Sequence, residues 1–115
     1  MNLDQSKAQM RKGLLEFCIL SVLAGGEAYP SGILERLKRS GLLVVEGTLY
    51  PLLTRLKNDG WLSYRWEESN AGPPRKYYRL TEEGHSALTE LTAAWHTLVE
   101  SINQTLASQQ TTPTL

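Results

Sequence analysis

Cysteine is nearly missing from this chain, with Cys18 the only one among 115 residues. One thiol cannot close an intrachain disulfide or build a cysteine-based zinc site. Long apolar runs are missing too: GLLEFCILSVLAGG carries a glutamate and falls short of the ~20 residues that cross a bilayer, so no membrane partner is expected. MNLDQSKAQMRKG at the N-terminus has no apolar stretch ahead of a small-residue cleavage site, so no export signal is expected and the expected location is cytoplasmic. Catalytic motifs are equally scarce. His85 and His96 stand 11 residues apart and belong to no metal or catalytic pattern, and AGGEAYPSG lacks the GK[ST] of a phosphate loop. No enzyme activity, metal or cofactor is therefore expected.

Cations are absent from the last third. All 12 Lys and Arg fall within residues 7–79, beside eight acids up to residue 80, a net of +4; residues 81–115 hold four acids and no Lys or Arg, a net of −4. The formal charge of zero thus hides a basic part suited to phosphate and an acidic part with another task.

The periodicities give an order of elements. Residues 5–24 read as one helix, with Met10, Leu14, Phe17, Cys18 and Val22 on a stripe that Leu15, Ile19 and Leu23 widen, and a glycine pair ending it. YPSGILERLKRSG reads as a second helix with Pro30 in its first turn, followed by the extended link LLVVE. In EGTLYPLLTRLKNDGWL, Leu49, Leu52, Leu53 and Leu56 follow i, i+3, i+4, i+7; Pro51, which lacks an amide hydrogen, places the helix start at 46–48. WLSYRWEE then alternates Leu62, Tyr64 and Trp66 against Ser63, Arg65 and Glu67, SNAGPP reads as a turn, and RKYYRL alternates again. Thr81 caps a last helix whose Leu88, Leu91, Trp95, Leu98, Ile102 and Leu106 recur at coiled-coil-like spacing.

Helix, helix, helix, hairpin, long helix predicts a mainly α (α+β) fold: a winged helix-turn-helix with a two-stranded wing and a long C-terminal helix. The expected organisation is a DNA-binding region over residues 1–80, a dimerisation helix over 81–108 and a flexible tail over 109–115, within one structural domain. In such folds the third helix enters the major groove and other parts hold phosphates. Its leucines supply the anchor. Thr48, Tyr50, Pro51, Thr54, Arg55 and Lys57 supply an outward face that can hydrogen-bond or stack on base edges. Arg75 and Lys76 are expected at the tip of the wing, where they reach a phosphate backbone. A solvated helix face and a charged edge strand are the plainer alternatives. Ser31, near the N-terminus of the second helix, stands where free amides favour an anion.

GTLYPLLTRLKNDGWL followed by GPPRKYYRLTEEGH resembles the PadR family of regulators, and the likeness runs from about residue 10 to 106. The resemblance implies a prokaryotic transcription regulator, usually a repressor, that binds an operator as a homodimer. It implies DNA contacts for Tyr50, Arg55, Arg75 and Lys76. It further implies the short form of the family, in which the last helix builds the dimer together with the first and so brings in Leu14 and Cys18. Two-fold symmetry then implies a palindromic operator in double-stranded DNA. Trp95 is open to two readings: a residue filling the dimer core, or, as in a multidrug-binding relative, a ring that stacks on a small aromatic effector. Two other classes stay in play, a winged-helix protein-interaction module and a small-molecule-binding dimer without operator binding.

Overall fold

The computed structural model describes residues 2–108. Its elements are α1 (Leu3–Lys12), α2 (Leu15–Ala24), α3 (Pro30–Arg39), α4 (Glu46–Asn58), β1 (Leu62–Ser69), β2 (Gly72–Leu80) and α5 (Glu82–Ser108). They form a winged helix-turn-helix with a two-stranded antiparallel wing, extended by one long helix. The expected tail, 109–115, lies outside the described residues.

The core forms where the apolar stripes of α2, α3 and α4 meet the base of the hairpin. Ile19, Leu20 and Leu23 pack with Ile33 and Leu37, with Leu49, Leu53 and Leu56, and with Leu62, Tyr78 and Leu80. Leu49, Leu53 and Leu56 are fully buried, so the leucine stripe does anchor α4. Truncating one such leucine costs about 2–5 kcal/mol, several times what an exposed ion pair contributes, so α4 is held by packing. Glycines at positive φ close α3 and α4: Gly41 at 88° and Gly60 at 83°.

Two features differ from the sequence reading. The first helix is two helices. α1 has no buried residue and Met10 is 76% exposed, whereas burial begins at Leu15. Between them Gly13 and Leu14 form a turn, and the Leu14 amide reaches back only to the Arg11 carbonyl, 2.9 Å away. Gly13 lowers helix propensity at the point where core contact starts, so nothing holds the chain in a single straight rod.

The second difference is the wing. Its turn is short, with Ser69 paired to Gly72, and Pro73 and Pro74 lie inside β2 beyond a register shift between Glu67 and Ser69. Both strands of a two-stranded sheet are edges, which tolerate the missing amide hydrogens of proline. Consequently Arg75 and Lys76 are not at the tip. They pair across the ladder with Glu67 and Trp66.

α5 leaves the wing through a tight crossing. The Thr81 hydroxyl donates to the Gly60 carbonyl at 2.6 Å and accepts from the Gly84 amide at 3.0 Å, so it caps the helix and ties it to the end of α4. Its own amide donates to the Trp61 carbonyl at 3.1 Å. Gly84 is buried against that same carbonyl, and a Cβ there would overlap it. A glycine inside a helix ordinarily costs about 1 kcal/mol relative to alanine, and this close approach reverses the preference.

Only past Trp95 does α5 run clear of the body. Leu88 and Leu91 pack on the core, but Leu98, Ile102 and Leu106 are 50%, 44% and 54% exposed. The radius of gyration is 17.8 Å, against roughly 13 Å for a compact chain of this length. No helix among the described residues is long and apolar enough to cross a membrane. Gly84→Ala is expected to destabilise the fold by about 1–3 kcal/mol, the range for overpacking a filled site, read as a lower midpoint in thermal unfolding by circular dichroism. An unchanged or higher midpoint would show that the crossing has room to spare.

Candidate nucleic-acid interface

Helical geometry divides the exposed arc of α4 into a crest and two edges. At about 100° per residue, Tyr50 and Thr54 fall on the edge toward the wing, Gly47, Pro51 and Asn58 along the crest, and Thr48 and Arg55 on the edge toward α2. The crest is low, with a glycine and a proline on it. Pro51 is one and a half turns into the helix, so the Gly47 carbonyl has no amide donor four residues on; both residues are exposed and water can serve that carbonyl.

The wing edge of α4 faces a groove of about 510 Å³. Tyr50, Thr54 and Glu46 form one wall, Tyr29, Pro30 and Ser31 from the start of α3 another, and Trp66, Pro74, Arg75, Lys76 and Tyr78 of the wing the third. Ser31, Tyr50, Thr54, Arg75 and Lys76, separated widely in sequence, are thereby brought to one place. The first turn of α3 has no side-chain cap, and Ile33 is its first residue to donate within the chain, to Tyr29 at 3.0 Å. The amides of Ser31 and Gly32 thus point out of a helix N-terminus at the groove's rim.

Aromatic rings hold the two wing cations. The Arg75 guanidinium lies 5.4 Å from the centre of the Tyr29 ring. The Lys76 ammonium lies 4.6 Å from Tyr64 and 5.5 Å from Trp66. Rings restrain the side chains while leaving the charges uncompensated, unlike a carboxylate, so the cations remain available to an anion. Burial pushes the Tyr78 phenol up, with Tyr64 and Tyr50 adding to the effect. Loss of solvent also pushes the Tyr29 phenol up, and the Glu67 carboxylate reinforces it. Both therefore stay neutral at the groove.

The remaining expected contacts lie elsewhere. Arg55, on the α2 edge, is 3.2 Å from Glu16 with 68% of its side chain exposed. Such a pair contributes about 0–1 kcal/mol, so it does not bind the guanidinium tightly. Thr48 borders a second cleft of about 320 Å³ with Arg11, Lys12 and the 42–45 link. Pro51 is exposed on the crest, and the Lys57 ammonium sits 5.9 Å from the Tyr64 ring.

Other basic residues serve the fold. Arg36 donates to the carbonyls of Val22 at 3.3 Å, Gly26 at 3.2 Å and Glu27 at 3.5 Å, closing the end of α2 where helix carbonyls lack partners. Arg65 pairs with Glu27 at 3.4 Å and Glu67 at 3.2 Å, and that ion pair is what compensates the buried Oε2 of Glu67. Arg79 donates to Ser63 at 3.0 Å.

Sequence reasoning missed Tyr29, Glu46 and Trp66 at the groove. Alternation put Trp66 on the inward face, yet it is 61% exposed, because the core ends at Tyr64 and the strand runs on past it. On α5, Trp95 is half-buried with its ring centre 6.4 Å from Phe17, and Leu14 and Cys18 lie half-buried on the same side of α2 as Phe17. Burial pushes the Cys18 thiol up, away from the reactive thiolate.

A three-helix body, a wing and a basic groove between them define a winged helix-turn-helix regulator. The family described as the transcriptional regulator PadR-like family matches residues 19–90, and the chain belongs to it. Transcriptional regulator Rv3488 of Mycobacterium tuberculosis is 35% identical over 82 residues, covering 71% of this chain and 76% of that protein. Among solved structures, a PadR-like transcription factor from Bacteroides fragilis is 59% identical with a TM-score of 0.75, covering 87% of this chain and 97% of its own. A PadR family transcriptional regulator from Eggerthella lenta gives a TM-score of 0.84 at 35% identity, over 90% and 91% of the two chains.

Proposed function

We propose that this PadR-family regulator is a sequence-specific DNA-binding repressor that acts as a homodimer on a palindromic operator. The observation that carries the reading is the convergence of Tyr50 and Thr54 on α4, Ser31 at the N-terminus of α3, and Arg75 and Lys76 on the wing around one open groove. Tyr50 and Thr54 can touch bases. Ser31 and the wing cations meet phosphates on one side, while Thr48, Arg55 and Lys57 meet the duplex along the rest of α4.

Dimerisation through α5 is supported by its exposed Leu98, Ile102 and Leu106, a stripe that the chain's own body leaves uncovered. Trp95, Leu88 and Leu91 continue that stripe toward the body, and we assign the half-buried Leu14 and Cys18 to the same interface because Phe17, on their side of α2, meets Trp95. A two-fold pair presents two copies of α4, and successive turns on one face of DNA require a spacing of roughly 34–36 Å. Trp95 packs against Phe17 at the start of the stripe and fills the dimer core there. Its partial exposure favours a second role, stacking on a small aromatic effector that relieves repression.

Fluorescence anisotropy with the chain's own promoter duplex, against a scrambled duplex across a salt series, tests DNA binding. Preference for the promoter is expected, with affinity falling steeply as salt rises. Tyr50→Ala or Arg55→Ala should weaken promoter binding by about 1–3 kcal/mol, whereas Arg75→Ala should weaken both duplexes alike and reduce the salt slope by about one. Promoter binding no tighter than scrambled binding ends the operator reading and favours an interaction module or a ligand-binding dimer. Sedimentation should give a dimer for the wild type and a monomer with lost operator affinity for Ile102→Glu; a wild-type monomer at micromolar concentration would sink the dimer. Planar aromatic compounds should quench tryptophan fluorescence and bind Trp95→Ala much more weakly, and equal binding by that variant would remove the effector role.

A further inference from the structure

We propose that Trp66 is a DNA-contact residue of the wing, packing its indole against the deoxyribose of a strand whose phosphate is held by Lys76. The proposal rests on the operator-binding reading above and adds a non-electrostatic element to it.

Three observations carry the assignment. First, Trp66 continues the face of β1 that begins with Leu62 in the core and Tyr64 half-buried, but it overhangs the body and is 61% exposed. An indole is the largest apolar side chain, and one left in water beyond the core holds in reserve the stabilisation that a covering partner would release. Second, the ring is oriented from behind. Tyr64 meets it edge-on, with ring centres 5.9 Å apart at 90°, so it presents a fixed surface. Third, it forms the ridge between two concavities. One is the groove shared with Tyr50 and Lys76; the other is a shallow cleft with Pro73, Pro74 and Glu68 along the outer wing.

The neighbouring charge selects the occupant. Lys76 pairs with Trp66 across the ladder and holds its ammonium 5.5 Å from the indole centre. An apolar plate beside a restrained cation matches a unit that is apolar and anionic within a few ångströms. The sugar–phosphate repeat of a duplex has that chemistry, whereas a purely apolar protein surface would leave Lys76 without a partner. Glu68 on the far side keeps phosphate to the Lys76 side of the ring. A sugar contact carries no base information, so Trp66 adds affinity to any duplex seated in the groove.

Titration of Trp66→Ala, Trp66→Phe and Lys76→Ala with promoter and scrambled duplexes over a salt series tests this. Trp66→Ala is expected to weaken both duplexes by about tenfold, in the range for losing one aromatic contact to nucleic acid, with no change in the salt slope. Lys76→Ala is expected to reduce the slope by about one. In wild type, duplex binding should perturb tryptophan emission, and Trp66→Phe should lose that change while keeping Trp61 and Trp95. Trp66→Ala binding within twofold of wild type, or a DNA-dependent emission change that survives in Trp66→Phe, overturns the assignment and leaves operator binding intact. An altered sedimentation of Trp66→Ala with unchanged DNA affinity would place the ring in a protein interface and overturn it as well. Wild type that binds neither duplex overturns both proposals.

Discussion

One backbone pair holds the groove together. Between α2 and α3 the chain makes a one-residue bridge at Ala28, whose amide donates to the Tyr78 carbonyl at 3.0 Å and whose carbonyl accepts from the Tyr78 amide at 2.9 Å. This bridge gives β2 a second neighbour, one residue long, and fixes the entry of α3 against the wing. Tyr29 then reaches the wing and packs its ring at a tilt against Tyr77, 4.7 Å between centres, while Ser31 opens onto the groove. Without the pair, the α3 and wing walls of the groove would be joined only through the core and the ring of Tyr29. Both partners are buried, where an unmade backbone hydrogen bond is costly, so the bridge is also hard to break.

Around this tie the protein separates two kinds of cation. Arg36, Arg65 and Arg79 are spent on carbonyls, carboxylates and a hydroxyl inside the fold. Arg75 and Lys76 lean on rings, which steady a charge without cancelling it. This division helps a chain with no net charge to present a basic face: Glu27 and Glu67 are paired with Arg65, and four of the twelve acids sit along α5, away from the groove, which keeps Glu46 as its one acidic lining residue.

The elements were legible in the sequence because each has a strong period. The leucine stripe of α4, the two strands of the wing and the Thr81 cap all stand in the structure as read. The order of elements was enough to imply the winged helix. What escaped was set by contacts between distant residues. Periodicity runs through Gly13 without interruption, but the body starts at Leu15 and gives α1 nothing to pack on. Alternation assigns Trp66 inward, but alternation cannot tell where a core ends. Two prolines look like a turn, and only a two-stranded sheet with free edges lets them stay in a strand. Arg55 looks like its neighbours on the outward face until Glu16, from another helix, is placed 3.2 Å away.

The seat of Gly84 on the Trp61 carbonyl makes α5 a lever with a defined fulcrum. Its 27 residues span about 40 Å at 1.5 Å per residue; Gly84 forms a tight joint in the first turn, and Leu88, Leu91 and Trp95 rest on the body beyond it. A tilt of about 5° at that joint moves the far end by roughly 3–4 Å. Trp61 leads directly into β1, so the same joint sits at the root of the wing. For two chains joined along α5, a small change in how the long helices cross becomes a change in the distance and angle between the two wings. In the proposed dimer, the spacing of the wings is thus set at the α5 stripe, far from the groove itself.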